Sequence, residues 1–375
     1  MAGSENTPER LGAYRILKRV SHDEAGDVFL ARLEGPEAGS DVVVLKLLAT
    51  SRLADDAPAY AQLSHPTIVQ LYDVLEEDGR FAMVLEYVDG PSLQRLRGML
   101  KTVGRAFDAA SVLYLGCRLF TALAVAHQAG VVHRNVDPSN ILVSWDGEVK
   151  LAGLGIVHEA QTFGYLAPEQ VTGGDVGAAT DVYAAAIVIW EMLARRRAFQ
   201  RGALPEREVL RAMAEPRIPP LDVLRPDLDP RLRGVLSRAL EPAASARTIT
   251  AEEIAATLQR FASEEEGRER LGSLLATVRH EPRPSWTSLP PEVGVALPSI
   301  RHASSPDATA RNFSLHDAIS EILRSVPSSM PPASDRQRST TRTSPRHGTS
   351  MRWVRPALPI RMRCAPHFTV TVAGV

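Results

Sequence analysis

Polar residues that can do chemistry are concentrated in one short stretch, HRNVDPSN. It holds His133, Asn135, Asp137 and Asn140, and a glycine turn, LAGLG, follows ten residues later with Gly153 at its centre. Asp137 is the one carboxylate of the stretch, so it could serve as a base, and Asn140 could offer a metal ion a weak oxygen ligand. A glycine offers neither. The stretch therefore holds few of the groups that acid–base or magnesium chemistry needs.

The elements around this stretch change from strands to helices along the chain. Residues 14–48 alternate in short apolar runs that predict strands at hairpin spacing, and a short helix, PAYAQL, and two more strands follow. From Asp108 the period becomes helical, and the first long helix should end at Gly130. Helices then dominate to about residue 262, which predicts a strand-rich lobe followed by a helix-rich lobe.

Several motifs in a fixed order carry a family resemblance. They are YRILKRVSHDEAGDVFLAR, VVVLK, LSHPTIVQLYDV, MVLEYVDGPSL, HRNVDPSNILV, LAGLG, TFGYLAPEQ and TDVYAAAIVIWEML. Together they resemble a bacterial serine/threonine protein kinase of the eukaryotic-like type. The resemblance implies an α+β, two-lobed protein-kinase-like fold over residues 14–262, with an N-lobe at 14–88 and a C-lobe at 89–262. Residues 1–13 would form an N-terminal tail.

The phosphate-binding segments depart from the family pattern. Where the family has three glycines, this chain has Ser21, Asp23 and Gly26, so close approach of the backbone to phosphate is restricted. Lys46 matches the lysine that binds the α and β phosphates. Val44 stands where the family usually has alanine against the adenine, and its extra methyl groups would narrow that pocket.

The catalytic positions depart further. Asn135 replaces the aspartate that orients the substrate hydroxyl, Asp137 replaces a lysine that helps to hold the γ-phosphate, and Gly153 replaces the aspartate that binds Mg²⁺. Asn140 matches the second metal ligand. The resemblance thus predicts no catalytic residue and no metal ligand set, with one rescue left open, in which Asp137 acts as a shifted base.

Other family positions are kept. Glu169 and Arg247 match a buried ion pair, Asp181 matches the residue that anchors the catalytic loop, and His133 is interpreted as a packing residue with a satisfied imidazole. Any nucleotide would be bound by a set taken over from the resemblance: Gly26, Val28, Val44, Lys46, Met83, Glu86, Val88, Asn140 and Leu142. No cofactor would be required, and ATP, if bound, would lack a tightly held Mg²⁺.

The composition limits the classes of protein and the cellular locations that the sequence can represent. The chain has a net charge of −1 and two cysteines, too few for a disulfide framework, and it shows no apolar leader or membrane-length run. These features predict a cytoplasmic protein that uses no membrane. Residues 281–375 hold twelve arginines, no lysine and six acids, a net +6, so the first 280 residues carry −7. Without interleaved aromatic residues, this charge does not indicate nucleic-acid binding.

The C-terminal part, residues 263–375, is predicted to be a linker and a mostly disordered tail because it is rich in Pro, Ser and Arg. Residues 314–326 should form a short amphipathic helix, which either docks on the chain's own lobes or binds a partner.

Three functions remain open from the sequence. The favoured hypothesis is a catalytically impaired pseudokinase that regulates or scaffolds a protein partner, an active kinase being one such partner. The first alternative is an active serine/threonine kinase that uses rearranged residues. The second is a nucleotide-sensing module that binds ATP without metal.

Overall fold

The computed structural model describes residues 9–23, 26–34, 42–48, 52–53, 57–77, 80–157, 164–200, 204–261 and 263–279. Its strands are β1 (Arg10–Leu11), β2 (Tyr14–Asp23), β3 (Gly26–Leu33), β4 (Val42–Leu48), β5 (Arg52–Leu53), β6 (Leu71–Glu77), β7 (Arg80–Glu86), β8 (Ile141–Val143), β9 (Val149–Leu151) and β10 (Ile156–Val157). Its helices are α1 (Ala57–Tyr60), α2 (Leu93–Thr102), α3 (Ala109–Gln128), α4 (Pro168–Thr172), α5 (Ala178–Ala194), α6 (Glu206–Ala214), α7 (Leu221–Leu224), α8 (Pro230–Ala239), α9 (Ala251–Gln259) and α10 (Glu264–Ala276).

The first lobe is an antiparallel sheet in the order β1-β2-β3-β4-β7-β6. Successive side chains of a strand point to opposite faces, and the sheet uses both faces. Phe29, Leu45 and Val84 form a small core on one face, whereas Met83 and Leu85 join the large core that continues into the helical lobe. The sheet is therefore fixed to the second lobe through one of its two faces.

The connection between β4 and β6 contains little helix. The predicted helix PAYAQL forms a single turn, Ala57–Tyr60, and β5 pairs antiparallel with β10, so that Leu53 lies opposite Ile156. Ile156 is buried. The strand that follows the glycine turn is thus tied to the segment that precedes α1.

The second lobe is built around α3 and α5. Asp108 caps α3 by accepting a hydrogen bond from the Ser111 amide at 2.7 Å, and Gly130 lies just beyond the end of the helix with a left-handed φ of 76°. Among the described residues, α3 alone is long and apolar enough to pass a test for a membrane span, yet 61% of the tested window is buried inside the protein. Such burial is typical of a core helix.

A helix that the sequence did not predict follows residue 263. Ser263 caps α10, and Leu271 and Leu275 of α10 are buried in the large core. Gly267 is needed there because a β-carbon at this position would lie 2.4 Å from Cβ of Tyr114. The domain boundaries stay a prediction, but residues 264–276 form a packed helix where a linker was expected. The predicted helix at 314–326 lies outside the described residues.

Candidate active site

Asp181 anchors the loop that holds the candidate catalytic residues. It lies in the first turn of α5 and is 1% exposed. Its Oδ2 accepts a hydrogen bond from the His133 amide and its Oδ1 accepts one from the Arg134 amide, both at 2.8 Å. His127 Nε2 lies 2.8 Å from the same carboxylate. The buried carboxylate therefore fixes the backbone where the loop begins.

The neighbouring side chains complete this anchor. The ring of His133 is buried, with Nε2 2.8 Å from the carbonyl oxygen of Ala152 and Nδ1 accepting the Asn135 amide at 3.3 Å. Arg134 has a φ of 66°, which is rare for a residue other than glycine, and its carbonyl accepts a hydrogen bond from Gln170 of α4 at 2.8 Å. The loop is held from both sides in a conformation that it would not adopt alone.

Asn135, Asn140 and Gly153 lie together. Asn140 Nδ2 donates to the carbonyl oxygen of Asn135 at 2.9 Å, and the Asn140 carbonyl accepts the Ala152 amide at 2.8 Å. Gly153 has a φ of 88°, and a β-carbon added to it would lie 3.0 Å from Oδ1 of Asn140. The structure thus brings these three predicted positions together, and the side chain of Asn140 lies against the glycine.

Asp137 is buried, at 1% exposure. Its Oδ1 accepts hydrogen bonds from the amide and the hydroxyl of Ser139, both at 2.5 Å. An aspartate that bonds to the backbone two residues ahead is a common way of forming a turn. This geometry gives Asp137 a structural role in the loop and does not present a solvent-facing base.

These side chains do not fit a magnesium ion. Mg²⁺ requires near-ideal octahedral coordination by hard oxygen ligands, usually with one or two carboxylates. Within the described residues there is no group of three or more His, Cys, Asp or Glu side chains that could hold a metal ion. Gly153, at which an added β-carbon would lie 3.0 Å from Oδ1 of Asn140, supplies no side-chain oxygen to a metal ion.

The predicted phosphate-binding residues lie on adjacent strands of the first lobe. Val28 of β3 pairs with Ser21 on one side and with Lys46 of β4 on the other, and Lys46 in turn pairs with Met83 of β7. Gly26 begins β3 with a φ of 128°, a conformation that strongly favours glycine. The sheet register therefore aligns Val28, Lys46 and Met83 in one row.

The backbone polar groups of the segment between the lobes form hydrogen bonds within the protein. The Glu86 amide donates to the carbonyl of Gln70 at 2.9 Å, and the Val88 carbonyl accepts the Gly90 amide at 2.9 Å. Val44 and Leu142 are half-buried and pack against the large core. Of these predicted residues, Met83 is fully buried, so contact of its side chain with a ligand would require the core to open.

An ion pair at this position was missed from the sequence. Lys150 of β9 donates to both carboxylate oxygens of Glu86, at 2.6 and 2.8 Å, and Glu86 Oε2 also accepts the Gln70 amide at 3.1 Å. Lys150 pairs with Leu142 in the β8–β9 hairpin. Residues 86 and 150 are far apart in the sequence, so only the folded topology shows that Lys150 joins the interlobe segment to the hairpin.

Glu169 and Arg247 form a buried pair. Arg247 donates to both carboxylate oxygens of Glu169, at 2.8 Å to Oε1, and Thr180 Oγ1 donates to Oε1 at 2.8 Å. Arg247 also donates to the carbonyls of Glu241 and Ala179, both at 2.7 Å. Burial alone raises the pKa of Glu169, but the hydrogen bonds from Arg247, the backbone and Thr180 outweigh burial and leave it below its ordinary value.

The two-lobed fold and the anchored loop define the class of protein, a protein kinase fold. The description of the matching family is "protein kinase domain", and the match covers residues 41–258, more than half of the chain. This chain therefore belongs to the protein kinase family. The predicted fold class is confirmed.

Relatives and solved structures agree with this assignment. The serine/threonine-protein kinase PknI of Mycobacterium tuberculosis is 32% identical over 64% of this chain, and the tyrosine-protein kinase MasK of Myxococcus xanthus is 28% identical over 68%. The chain covers only 40% and 43% of those two proteins. A crystal structure of the Mycobacterium tuberculosis PknI kinase domain matches with a TM-score of 0.53 and 28% identity, over 70% of this chain and 100% of that one.

The comparisons overturn one expectation. The prediction that no cofactor is required is wrong, because the family to which this chain belongs normally uses ATP with Mg²⁺ or Mn²⁺. ATP and a divalent cation are therefore the cofactors with which this site has to be tested, although the described side chains do not surround a metal position.

Proposed function

We propose that this chain is a protein-kinase-fold protein with impaired phosphotransfer, which acts by binding a protein partner. The observation that carries the proposal is the geometry at Gly153. A carboxylate is missing there, the backbone has a left-handed φ, and the Asn140 amide lies 3.0 Å from where a β-carbon would be. A single substitution at this position would therefore place a carboxylate against an occupied space.

The loop itself supports the same conclusion. Asn135 has a neutral amide where the family has its base, and loss of a general base typically lowers a rate by about 10²–10⁴-fold. Asp137, the one carboxylate nearby in sequence, is buried and bonded to Ser139. The groups that hold the loop in place, Asp181 and Gln170, are present. This combination suits a rigid binding scaffold better than an enzyme.

Phosphotransfer by the purified full-length chain is the direct test. Radiolabelled ATP would be supplied with Mg²⁺ and, separately, with Mn²⁺, together with a general protein substrate. We expect incorporation roughly 10²–10⁴-fold below that of a competent kinase of the family. The residual signal should not depend on Lys46.

The matched control compares two lysine variants. Lys46→Ala removes the lysine that the family uses for phosphate, and Lys18→Ala removes an exposed lysine of β2. Transfer at an ordinary kinase rate that Lys46→Ala abolishes and Lys18→Ala leaves intact would overturn the proposal. It would establish the second candidate, an active kinase, which the similarity to the kinases PknI and MasK favours.

The partner is part of the proposal. The favoured partner is a protein, and an active kinase is the first candidate to test. Neither a membrane nor a nucleic acid is proposed, and a cytoplasmic location stays a prediction.

A further inference from the structure

A strongly basic surface adjoins the candidate active site. We name it the basic patch and define it by six side chains: Arg97, Lys101, Arg105, Arg195, Arg196 and Arg197. Arg97 and Lys101 lie four residues apart on α2 and so share one side of that helix, and Arg105 follows three residues after the helix ends. The last three follow the end of α5. All but the half-buried Arg97 are exposed.

Side-chain contacts bring the two segments together. Arg97 and Arg197 both donate to Oε2 of the buried Glu191, at 3.1 and 2.8 Å. Arg195 donates to the carbonyl of Phe107, just beyond α2, at 3.5 Å. These contacts place the end of α5 against α2 and against the segment that follows α2, so the six cationic residues lie in neighbouring parts of the structure.

The patch is not neutralised within the described part of the chain. Glu191 pairs with Arg97 and Arg197, but no carboxylate there lies within ion-pairing distance of Lys101, Arg105 or Arg196. Lys101 in the last turn of α2 and Arg195 at the end of α5 interact favourably with the helix dipoles. The helix dipoles thus explain the positions of two of the cations but not of all six.

The backbone at the patch also has an unusual conformation. Arg195 ends α5 with a φ of 51° and a ψ of 34°, a left-handed position that glycine usually fills. A residue with a β-carbon has a cost there of about 1–2 kcal/mol. The chain thus carries an arginine where a glycine would be easier, at the centre of a run of three arginines.

The patch is continuous with the candidate active site. The Tyr165 hydroxyl donates to Glu191 at 2.9 Å, and burial raises the pKa of Tyr165 to about 12, so this hydroxyl keeps its proton. Tyr165 lies three residues before α4, whose Gln170 binds the carbonyl of Arg134 beside Asn135. A ligand on the basic patch would therefore contact the same framework that holds the loop.

We infer that the basic patch is a docking surface for a segment of a protein partner rich in aspartate and glutamate. The distribution of charge along the chain favours this kind of partner. The first 280 residues carry a net −7, whereas residues 281–375 carry +6 and would be repelled by the patch. This charge argues against residues 281–375 as the occupant, and we assign the acidic segment to another protein. The inference deepens the partner-binding half of the proposed function but does not require phosphotransfer to be impaired.

Fluorescence anisotropy tests the inference with the full chain. The probe is a short labelled peptide rich in Glu and Asp, and the control probe is the same peptide with Gln and Asn. The variant K101Q/R105Q neutralises two exposed cations that make no ion pair with the described residues. The matched variant R238Q/R260Q removes two exposed arginines of the α8–α9 region.

The acidic peptide should bind, and more weakly as ionic strength rises towards about 0.15 M. K101Q/R105Q should weaken this binding roughly tenfold, and R238Q/R260Q less than twofold. Equal binding of both peptides, or equal loss in both variants, would overturn the inference. So would competition by anionic vesicles or single-stranded RNA that is stronger than competition by unlabelled acidic peptide. These outcomes are independent of the radiolabel assay, so failure of either proposal can be recognised separately.

Discussion

The Glu169–Arg247 pair and the region around Asn135 and Gly153 lie in the same domain. The pair has the residues of the family pattern, whereas the region around Gly153 departs from that pattern. The pair keeps both charges, and each carboxylate oxygen of Glu169 has a cationic donor. The region around Gly153 has an amide and a glycine in place of two acids. Both regions are well ordered by hydrogen bonds. The hydrogen bonds of the Glu169–Arg247 pair hold helices together. Those around Gly153 lie where the reacting groups of the family would be.

Under the proposed function, this contrast shows how a fold would lose its chemistry and keep its frame. Asp181 binds backbone amides of the loop whatever residue occupies position 135. Asn140 binds the carbonyl of Asn135, again a backbone group. Because these anchors use main-chain atoms, the side chain at 135 is free to change without disturbing the loop.

The largest predicted effect is on the frame. Arg247→Ala leaves the Glu169 carboxylate buried without its cation and also removes donors to the carbonyls of Glu241 and Ala179. Breaking a buried pair on one side typically lowers the free energy of unfolding by about 3–5 kcal/mol. Urea denaturation of the purified variant would measure the loss. A change under 1 kcal/mol would show that the frame does not depend on this pair.

The next effect concerns the loop anchor. Asp181→Ala removes the acceptor of two amides, and a buried donor left without a partner has a cost of about 1–3 kcal/mol. We expect a loss of about 2–4 kcal/mol of unfolding free energy. Hydrogen exchange of the His133 and Arg134 amides should also become faster than in the parent. Unchanged exchange at these two amides would contradict the role given to Asp181.

The smaller effects concern position 153, and they sharpen the comparison. Gly153→Ala should destabilise the protein by about 1–2 kcal/mol, because φ is 88° and the new β-carbon meets the Asn140 amide. The same change in the background Asn140→Ala should have a lower cost, since one of the two causes is removed. Asn135→Ala, whose backbone carries the anchor, should change stability by less than about 0.5 kcal/mol. Denaturation of four variants, Gly153→Ala, Asn140→Ala, the double variant and Asn135→Ala, measures all of these effects.

Much of the frame was predictable from the sequence because its signals are local. The β-branched apolar run in VVVLK and the cap at Asp108 indicate their elements within a few residues. The departures from the family pattern at Asn135 and Gly153 were also visible in the sequence, because the order of the motifs identifies which residue matches each catalytic position.

The remaining features depend on contacts between distant segments. The Glu86–Lys150 pair joins residues that are 64 positions apart, and each residue looks like an ordinary strand residue in its own segment. Helix α10 has a weak periodicity, and its glycine at 267 indicates packing only once Tyr114 is known to lie against it. The basic patch likewise arises when the end of α5 meets α2.

The smallest effect is a pH dependence that distinguishes the two regions. The pKa of Glu169 in the folded protein lies below its ordinary value of 4.5, so the pair's full contribution to stability is present above that value. This contribution should be lost as the pH falls through the folded pKa. Urea denaturation at a series of acidic pH values should show a steeper loss in the parent than in Glu169→Gln, which has no charge to lose. If the two proteins lost stability in parallel, the pair would not be the titrating element, and the frame would owe less to charge than the hydrogen bonds at Glu169 imply.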